Sequence, residues 1–446
     1  MRILFGTDGI RGTARQYPLD PPTMFALGEA LAHRLQKGAD GVLPKILLGM
    51  DTRESGPEIA SALAAGVAAG GGEAILIGVI PTPGVAYLCR TTDSQAGISI
   101  SASHNPFEDN GVKIFGHDGM KVADSIEEEI EDELRAIRSD EATIPEGVLP
   151  AHEELIDAYE KFLLAGVPSA ALAGKKVVLD AGHGAAYRIA ADVFIGAGAE
   201  VVLIHDAPDG RNINKDAGAL HPETLARTVV EQKADYGVAF DGDADRAIFA
   251  DDAGKIRDGD EIIYLWAKHL REIGTLRNAC VVTTVMSNFG FERQLQDDGI
   301  ELFRAQVGDK YVLEMMLERD ALLGGEQSGH IIDRSVHTTG DGIHTALVFG
   351  HILAEQNTPF SNLKTFEPMP QLLLNERVSS KPPIESLPRY QEAAARATEE
   401  LGDRGRILVR YSGTENLVRV MVEGEDEAQI HRIAATLRDV LKEEIG

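Results

Sequence analysis

Three times along the chain a short β-like run leads into a turn, a helix-like run, a glycine and a second β-like run. The first copy opens with Ile46-Leu47-Leu48-Gly49, passes a turn holding Asp51 and Arg53 and a helical stretch over 59–67, and reaches Gly70-Gly71-Gly72 and a strand over 74–77. The second opens with Val177-Val178-Leu179-Asp180, turns at Gly182-His183-Gly184, and ends in 201–204 after Gly196 and Gly198. The third opens over 281–285, turns at Met286-Ser287-Asn288-Phe289-Gly290, and ends in 301–303 after Gly299. Apolar strand, helix and apolar strand make a crossover unit whose sheet is covered on both faces. Three of them, each roughly a hundred residues or more from the last, predict three similar α/β domains.

At 446 residues the chain exceeds one ordinary domain, and roughly two to four are expected. The pattern changes after the proline-bearing stretch 356–370. A strand over 372–378, a helix over 387–401, strands over 407–411 and 417–422 and a helix over 427–444 follow. That order predicts a smaller α+β domain with helices on one face of an antiparallel sheet. The polar stretch 138–153, with Pro145, Gly147 and Pro150, reads as a linker.

A net charge of −28 argues against broad nucleic-acid binding and against docking on anionic lipid. An anionic ligand must then be met by a local basic cluster. Cys89 and Cys280 sit far apart among largely apolar neighbours and read as reduced core thiols. The N-terminus turns polar at Gly6, and the weakly apolar stretch 59–80 is broken by Gly70-Gly71-Gly72 and Glu73. Neither a signal peptide nor a membrane span is expected, and a cytoplasmic location is.

Five clusters carry candidate chemistry. In 97–115 a strand ends in Ser101-Ala102-Ser103-His104-Asn105-Pro106, which reads as an exposed polar loop where Ser103 beside His104 is a candidate nucleophile. Asp241, Asp243 and Asp245 alternate after the apolar run 236–240, and such acids repel one another unless a cation lies between them. A calcium loop does not fit, since its sixth position is Arg246 and its twelfth is Asp252; magnesium with a phosphate fits better, and Arg246 suits that phosphate. Residues 324–330 gather Glu326, Gln327, Ser328 and His330 between glycines, a mixture suited to sugar hydroxyls. Arg410, Ser412, Gly413, Thr414, Asn416 and Arg419 form an anion nest between two strands. The loop 5–12 carries Asp8 and Arg11 between glycines. A dinucleotide fingerprint fails because Tyr187 holds its third glycine position, and 97–101 lacks the second glycine of a nucleophile elbow.

FGTDGIRG (5–12), SASHNP (101–106), DGDADR (241–246), GEQSGH (325–330) and RYSGTENLVR (410–419), in this order and nearly end to end, resemble the α-D-phosphohexomutases. GEQSGH, TTVMSNFG (283–290), QVGDKYV (306–312) and TTGDGI (338–343) favour the glucosamine-phosphate branch, with Gln327 the main discriminator. The resemblance implies three similar α/β domains with mixed sheets and a smaller α+β C-terminal domain around a central cleft. Their boundaries are expected at 1–150 (phosphoserine loop), 151–255 (metal loop), 256–368 (sugar loop) and 369–446 (phosphate loop).

It further implies that Ser103 carries a phosphoryl group and, with Asp241, Asp243 and Asp245, holds one Mg2+ per subunit. Arg11, Lys113 and His330 would be catalytic, with Lys113 or His330 moving the proton. Glu326, Ser328 and His330 would recognise the sugar, and Arg246 and the 410–419 loop the phosphates. The implied reaction is an isomerisation of glucosamine 6-phosphate to glucosamine 1-phosphate through glucosamine 1,6-bisphosphate, which supplies a precursor of UDP-N-acetylglucosamine. A mutase for mannose or glucose phosphates is the alternative. A non-catalytic phosphosugar-binding protein would be expected to lack Ser103 or the acids, and a hydrolase would release phosphate. The implied partner is a small phosphosugar, neither nucleic acid nor membrane; a homodimer stays open, and a kinase or self-phosphorylation would first load Ser103. The chain departs from the family at Asn416, where many members have Pro, at Lys310, where many have Arg, and at His183, where Asn is frequent.

Overall fold

Side-chain caps set where several helices begin. Asp20 accepts the backbone N–H of Thr23 (3.1 Å), Asp258 that of Glu261 (3.1 Å), Asp341 that of His344 (2.9 Å), and Asp426 those of Ala428 and Gln429 (2.8 and 3.1 Å). Each supplies an acceptor to N–H groups that the first helical turn leaves unpaired. The computed structural model describes residues 4–6, 8–37, 43–137, 150–412 and 416–446. It divides into two compact units, Met1–Thr284 with Phe303–Lys364, and Val285–Leu302 with Thr365–Gly446. Of the expected linker, 138–149 lies outside the described residues.

The first sheet holds β1 (Ile10–Thr13), β2 (Lys45–Met50), β3 (Glu73–Val79), β4 (Ala96–Ile100) and β5 (Asp109–Gly116), in the order β1-β5-β4-β2-β3. Strand β2 pairs parallel with β3 and β4, and β5 pairs antiparallel with β4 and β1. Around it lie α1 (Pro21–Gln36), α2 (Gly56–Ala69), α3 (Thr82–Thr91) and α4 (Asp124–Leu134). Helices α1 and α2 approach closely because Gly66 has no side chain; a Cβ there would stand 1.9 Å from the Phe25 carbonyl oxygen.

The second sheet repeats the plan. After α5 (Glu153–Ala165) come β6 (Lys176–Asp180), α6 (Ile189–Gly196), β7 (Glu200–Ile204), α7 (Glu223–Gln232), β8 (Tyr236–Phe240), β9 (Ala247–Asp251) and β10 (Ile256–Arg257), in the sheet order β10-β9-β8-β6-β7. Strand β6 is parallel to β7 and β8, and β9 returns antiparallel to β8. A third set follows: α8 (Gly259–Glu272), β11 (Cys280–Thr284), α9 (Phe289–Asp297), β12 (Glu301–Ala305), α10 (Asp309–Arg319), β13 (Leu323–Gly325), β14 (Ile331–Asp333) and α11 (Gly342–Gln356). Its sheet runs β12-β11-β13-β14, with β11 parallel to β13 and β14 antiparallel to β13. The repeats thus give three mixed sheets. In each, a parallel strand (β4, β8, β13) turns back into an antiparallel one.

The second unit holds β15 (Gln371–Arg377), α12 (Pro388–Leu401), β16 (Gly405–Tyr411), β17 (Leu417–Gly424) and α13 (Glu427–Ile445), with the antiparallel order β15-β17-β16. Val418, Val420 and Val422 of β17 pack with Ile430, Ile433 and Leu437 of α13. Helix α9 belongs to this unit. Its cap Asn288 donates to the Met369 carbonyl (3.1 Å) and accepts from the Met369 N–H (2.9 Å). Both cysteines are buried and neither forms a disulfide, and burial raises Cys89 to about 12. No helix among the described residues is long and apolar enough to cross a membrane.

A buried histidine between α5 and α11 gives the first unit a pH dependence. His337 is 2 % exposed and lies edge-on to the Phe162 ring (centroids 5.7 Å apart). Burial, then the His344 and Arg90 charges, lower it to about 3 against an ordinary 6.5. In the unfolded chain it takes up a proton below pH 6.5; in the folded chain it stays neutral until about pH 3. Stability is therefore lost as pH falls through that window, by at most about 1.4 kcal/mol per pH unit. His337→Asn, which cannot charge, is expected to lose less stability than the parent between pH 7 and pH 5 in urea melts at each pH.

Candidate active site

The turns after β4, β8 and β13 carry three of the clusters singled out above, and the turn after β4 meets the turn after β8. Strands β4 and β8 are buried at every residue, so their polar continuations start from fixed positions. Ser103 takes a left-handed backbone (φ 53°), its N–H donates to Ser101 Oγ (2.9 Å), and its hydroxyl donates to Asp241 Oδ2 (2.7 Å). The His104 Nδ1 is farther, at 3.4 Å. Burial, then Arg246 and Arg11, push His104 down to about 4. The nearest acceptor for the serine is thus a carboxylate, not the neighbouring imidazole. The loop was expected to be exposed; Ser103 is instead 1 % exposed. The reason is close packing: a Cβ on Gly242 would stand 2.5 Å from the Ser103 carbonyl oxygen, so only glycine lets the two loops touch.

Asp241, Asp243 and Asp245 are buried, and their ligand atoms all lie within 4.8 Å of one another. Burial first, then Asp245 and Asp243, raise Asp241 well above the usual carboxylate range. Asp243 Oδ1 and Asp245 Oδ1 are buried without a hydrogen-bond partner. Converging acids with unused oxygens fit a hard divalent cation such as magnesium. Lys113, opposite Ser99 in the β4–β5 pairing, reaches Asp243 (2.9 Å), Asp245 (3.4 Å) and Asp8 (3.7 Å). Burial would discharge it, but Asp243, Asp8 and Asp245 outweigh burial and hold it well above its ordinary value. Thr82 Oγ1 also donates to Asp243 Oδ2 (2.7 Å).

Above these groups a cavity of about 490 Å³ is lined by Asp8, Arg11, Asp245, Arg246, Asp309, Glu326 and His330, among others. Arg11 pairs with Asp8, as does Lys121, which also pairs with Asp309 (2.6 Å). His330 is buried, with Nδ1 3.6 Å from Asp245 and Nε2 3.7 Å from Asp309. Burial pulls His330 down, but the Asp245, Asp309 and Glu326 carboxylates outweigh it and raise it to about 8. Arg246 stands 3.8 Å from Asp245 and 4.0 Å from Asp241. Glu326 accepts the Gly308 N–H (3.1 Å), and exposed Ser328 stands 3.4 Å from it. Gln327 is exposed and donates its amide to Asp258 (3.0 Å), the cap of α8, so it anchors the loop.

In the second unit, Arg410 and Arg419 face each other across the β16–β17 pair. Like charges directly opposite disfavour a hairpin, and an anion between them would remove that cost. Burial, then Arg419, lower Arg410 below its ordinary value. Ser412 closes the strand end by donating its N–H to the Leu417 carbonyl (2.8 Å), and the Asn416 carbonyl accepts the Val378 N–H (3.0 Å). Lys381, which sequence reading passed over, donates to the Ser412 carbonyl (2.8 Å). Gly413 and Thr414 lie outside the described residues.

Models of the phosphoglucomutase/phosphomannomutase family match the chain four times: the alpha/beta/alpha domains I, II and III over residues 2–141, 155–254 and 258–368, and the C-terminal domain over 373–440. The chain belongs to this family. Among its curated members, the phosphoglucosamine mutase of Solibacter usitatus is 47% identical over 99% of both chains. That of Symbiobacterium thermophilum is 45% identical over the whole of both. Among solved structures, a phosphoglucomutase/phosphomannomutase family protein from Burkholderia thailandensis shares the fold at a TM-score of 0.82 and 23% identity, over 99% of this chain and 97% of that one. The N-acetylphosphoglucosamine mutase of Aspergillus fumigatus, solved with GlcNAc-6P and magnesium, shares it at 0.64 and 18% identity, over 92% of this chain and 84% of that one. In this family member, Lys121 had no signal in the sequence, and Asp309 stood inside QVGDKYV without being read as a site residue. Asp309 lines the cavity, and Lys121 is brought to it by pairing with Asp309 and Asp8.

Proposed function

We propose that the protein is a phosphoglucosamine mutase that interconverts glucosamine 6-phosphate and glucosamine 1-phosphate, with Ser103 as the phosphoryl carrier. One observation carries the chemistry: the Ser103 hydroxyl lies 2.7 Å from Asp241 within a converging trio of buried acids. Curated phosphoglucosamine mutases 42% to 47% identical over 99% or more of the chain support the substrate. Bound by Asp241, Asp243, Asp245 and an oxygen on Ser103, a magnesium ion would neutralise charge on the transferring phosphoryl group.

The chain's own groups do the rest. Phosphoserine 103 passes its phosphoryl to O1 of glucosamine 6-phosphate. Lys113 and Arg11 hold positive charge beside the phosphoryl oxygens. His330, at the cavity wall, takes the proton that the attacking hydroxyl gives up; it does so in its neutral form, the minor one near pH 7 because, against burial, nearby carboxylates raise it to about 8. The product is glucosamine 1,6-bisphosphate. It reorients and returns its 6-phosphoryl to Ser103 with the proton flow reversed, leaving glucosamine 1-phosphate. Glu326 and Ser328 hold sugar hydroxyls, and Arg246 a phosphate at the cavity. Arg410, Ser412, Gly413, Thr414, Asn416 and Arg419 hold the phosphate that is not being transferred. Ser103 first receives its phosphoryl group from a kinase or from the protein itself, in the cytoplasm.

Phosphorylated protein with magnesium and a trace of the bisphosphate is expected to turn over glucosamine 6-phosphate at least about tenfold better, in kcat/KM, than glucose or mannose 6-phosphate. A preference for either neutral sugar would return the reading to the glucose- or mannose-phosphate branch. Stoichiometric release of inorganic phosphate would make the protein a hydrolase instead.

A further inference from the structure

Among the largest fully buried side chains of the first unit is a cation that the mechanism above does not use. Arg53, in the turn between β2 and α2, is 1 % exposed. Among the described residues its one carboxylate partner is Asp51, at 2.9 Å from Nε. Its remaining donors all go to backbone carbonyls of the loop after β4 and of the first residue of β5. Nη2 donates to Ser103 (3.0 Å) and Asn105 (2.8 Å), and Nη1 to Asp109 (2.9 Å) and Pro106. Asp51 in turn accepts the Ser101 hydroxyl (2.6 Å), the same oxygen that accepts the Ser103 N–H. From the second sheet's side, Asn214 Nδ2 donates to the carbonyls of Ser103 (2.9 Å) and Asn105 (3.3 Å).

We propose that Arg53 and Asn214 are positioning residues for phosphoryl transfer: together they clasp the Ser103 carbonyl and so fix where its hydroxyl stands against Asp241. The proposal rests on the reading of Ser103 as phosphoryl carrier. The argument is one of degrees of freedom. A serine at φ 53° occupies a backbone region that L-residues visit sparingly, and a loop so placed relaxes unless its surroundings hold it. Hydrogen bonds on side-chain atoms would restrain χ1 but leave the peptide free to turn. Donors on the carbonyl fix the peptide plane itself, and with it the direction of Cα–Cβ. Only arginine presents a planar fork of five donors with a permanent charge, enough to reach four carbonyls and one carboxylate from one buried site. Lysine keeps the charge but cannot span them. Asn214 approaches the same carbonyl from the sheet that carries Asp241, so it ties the serine to the acids it must meet.

The test uses the full-length protein carrying Arg53→Lys or Asn214→Ala, with magnesium, glucosamine 6-phosphate and glucosamine 1,6-bisphosphate. It reads kcat, KM, the inorganic phosphate released per isomerisation, and the phosphorylation of Ser103 by intact mass. Arg53→Lys is expected to lower kcat about 10²-fold and Asn214→Ala about tenfold, with KM held within about twofold. Both are expected to raise phosphate release per isomerisation several-fold, because a phosphoserine out of line with the sugar hydroxyl yields to water. A merely structural role would lower the folded fraction and the melting temperature but leave that ratio unchanged. An unchanged ratio in variants whose Ser103 is phosphorylated overturns the clasp alone. A parent protein whose Ser103 takes up no phosphoryl group overturns the carrier reading and the clasp with it. If Arg53→Lys does not fold, Asn214→Ala decides on the same readouts.

Discussion

Ser103→Ala is expected to abolish mutase turnover with every hexose phosphate, by about 10⁴-fold or more, while the fold persists. The alanine removes one oxygen. That oxygen is the proposed carrier of the phosphoryl group before the first half-reaction and after the second, and it is 2.7 Å from the acid that would share a cation with it. No neighbour can replace it. Ser101 Oγ is already bound to Asp51 and to the Ser103 N–H, and His104 is held at about 4 by burial and two arginines. The backbone clasp on the loop does not involve Oγ, so the loop keeps its course. Coupled assay of glucosamine 1-phosphate formation reads the loss. Intact mass should show a phosphoryl group on the parent and none on the variant. Substantial turnover by Ser103→Ala would remove the serine from the mechanism and take the proposed function with it.

Asp241→Asn is expected to lower turnover about 10³-fold and, in the metal-free protein, to raise the melting temperature. The two effects come from one cause. Burial, Asp245 and Asp243 hold Asp241 well above the usual carboxylate range, so its charged form is unfavourable until a cation joins the group. Asparagine is nearly isosteric and keeps an oxygen for the Arg246 N–H, which donates to Asp241 Oδ1 at 3.2 Å. It removes the repulsion and, with it, a ligand charge. Magnesium should stabilise the parent, by about 2.7 kcal/mol at a hundredfold excess over its Kd, and should leave the variant nearly unmoved. Melts in EDTA and in magnesium, run on both proteins, check this. A variant that still gains stability and turnover from magnesium would show that Asp241 is not part of the metal site.

The motifs legible in the sequence are those whose chemistry is contiguous. Alternating Asp241, Asp243 and Asp245 after an apolar strand already point to a cation, and Arg410 and Arg419 stand close enough along the sequence to point to one anion. Arg53 was visible only as a turn residue, because its partners are backbone carbonyls, and every residue has one of those. The pairing of Lys121 with Asp309 was silent for a related reason, although Asp309 lay in a quoted motif. They meet across 188 positions of chain, and nothing in either neighbourhood marks the other. Gln327 was read as a discriminator between sugars; its amide donates to Asp258, the cap of α8, a contact the sequence did not announce. Ser103 was expected on an exposed loop because Ser, His and Asn are polar. Polarity alone does not report that another loop, with glycine at 242, packs against it.

What the sequence determined by itself is local: apolar runs that must be covered on both faces, glycines and prolines that end them, and polar turns where each run stops. Those signals act within a few turns of the chain, and they were enough for three α/β sheets and an α+β end; that the sheets are mixed came from the resemblance. Only the tertiary structure decided that the turns after β4 and β8 would touch. That contact joins residues 138 positions apart and depends on how two separately wound sheets pack, a sum over many side chains that no single stretch encodes.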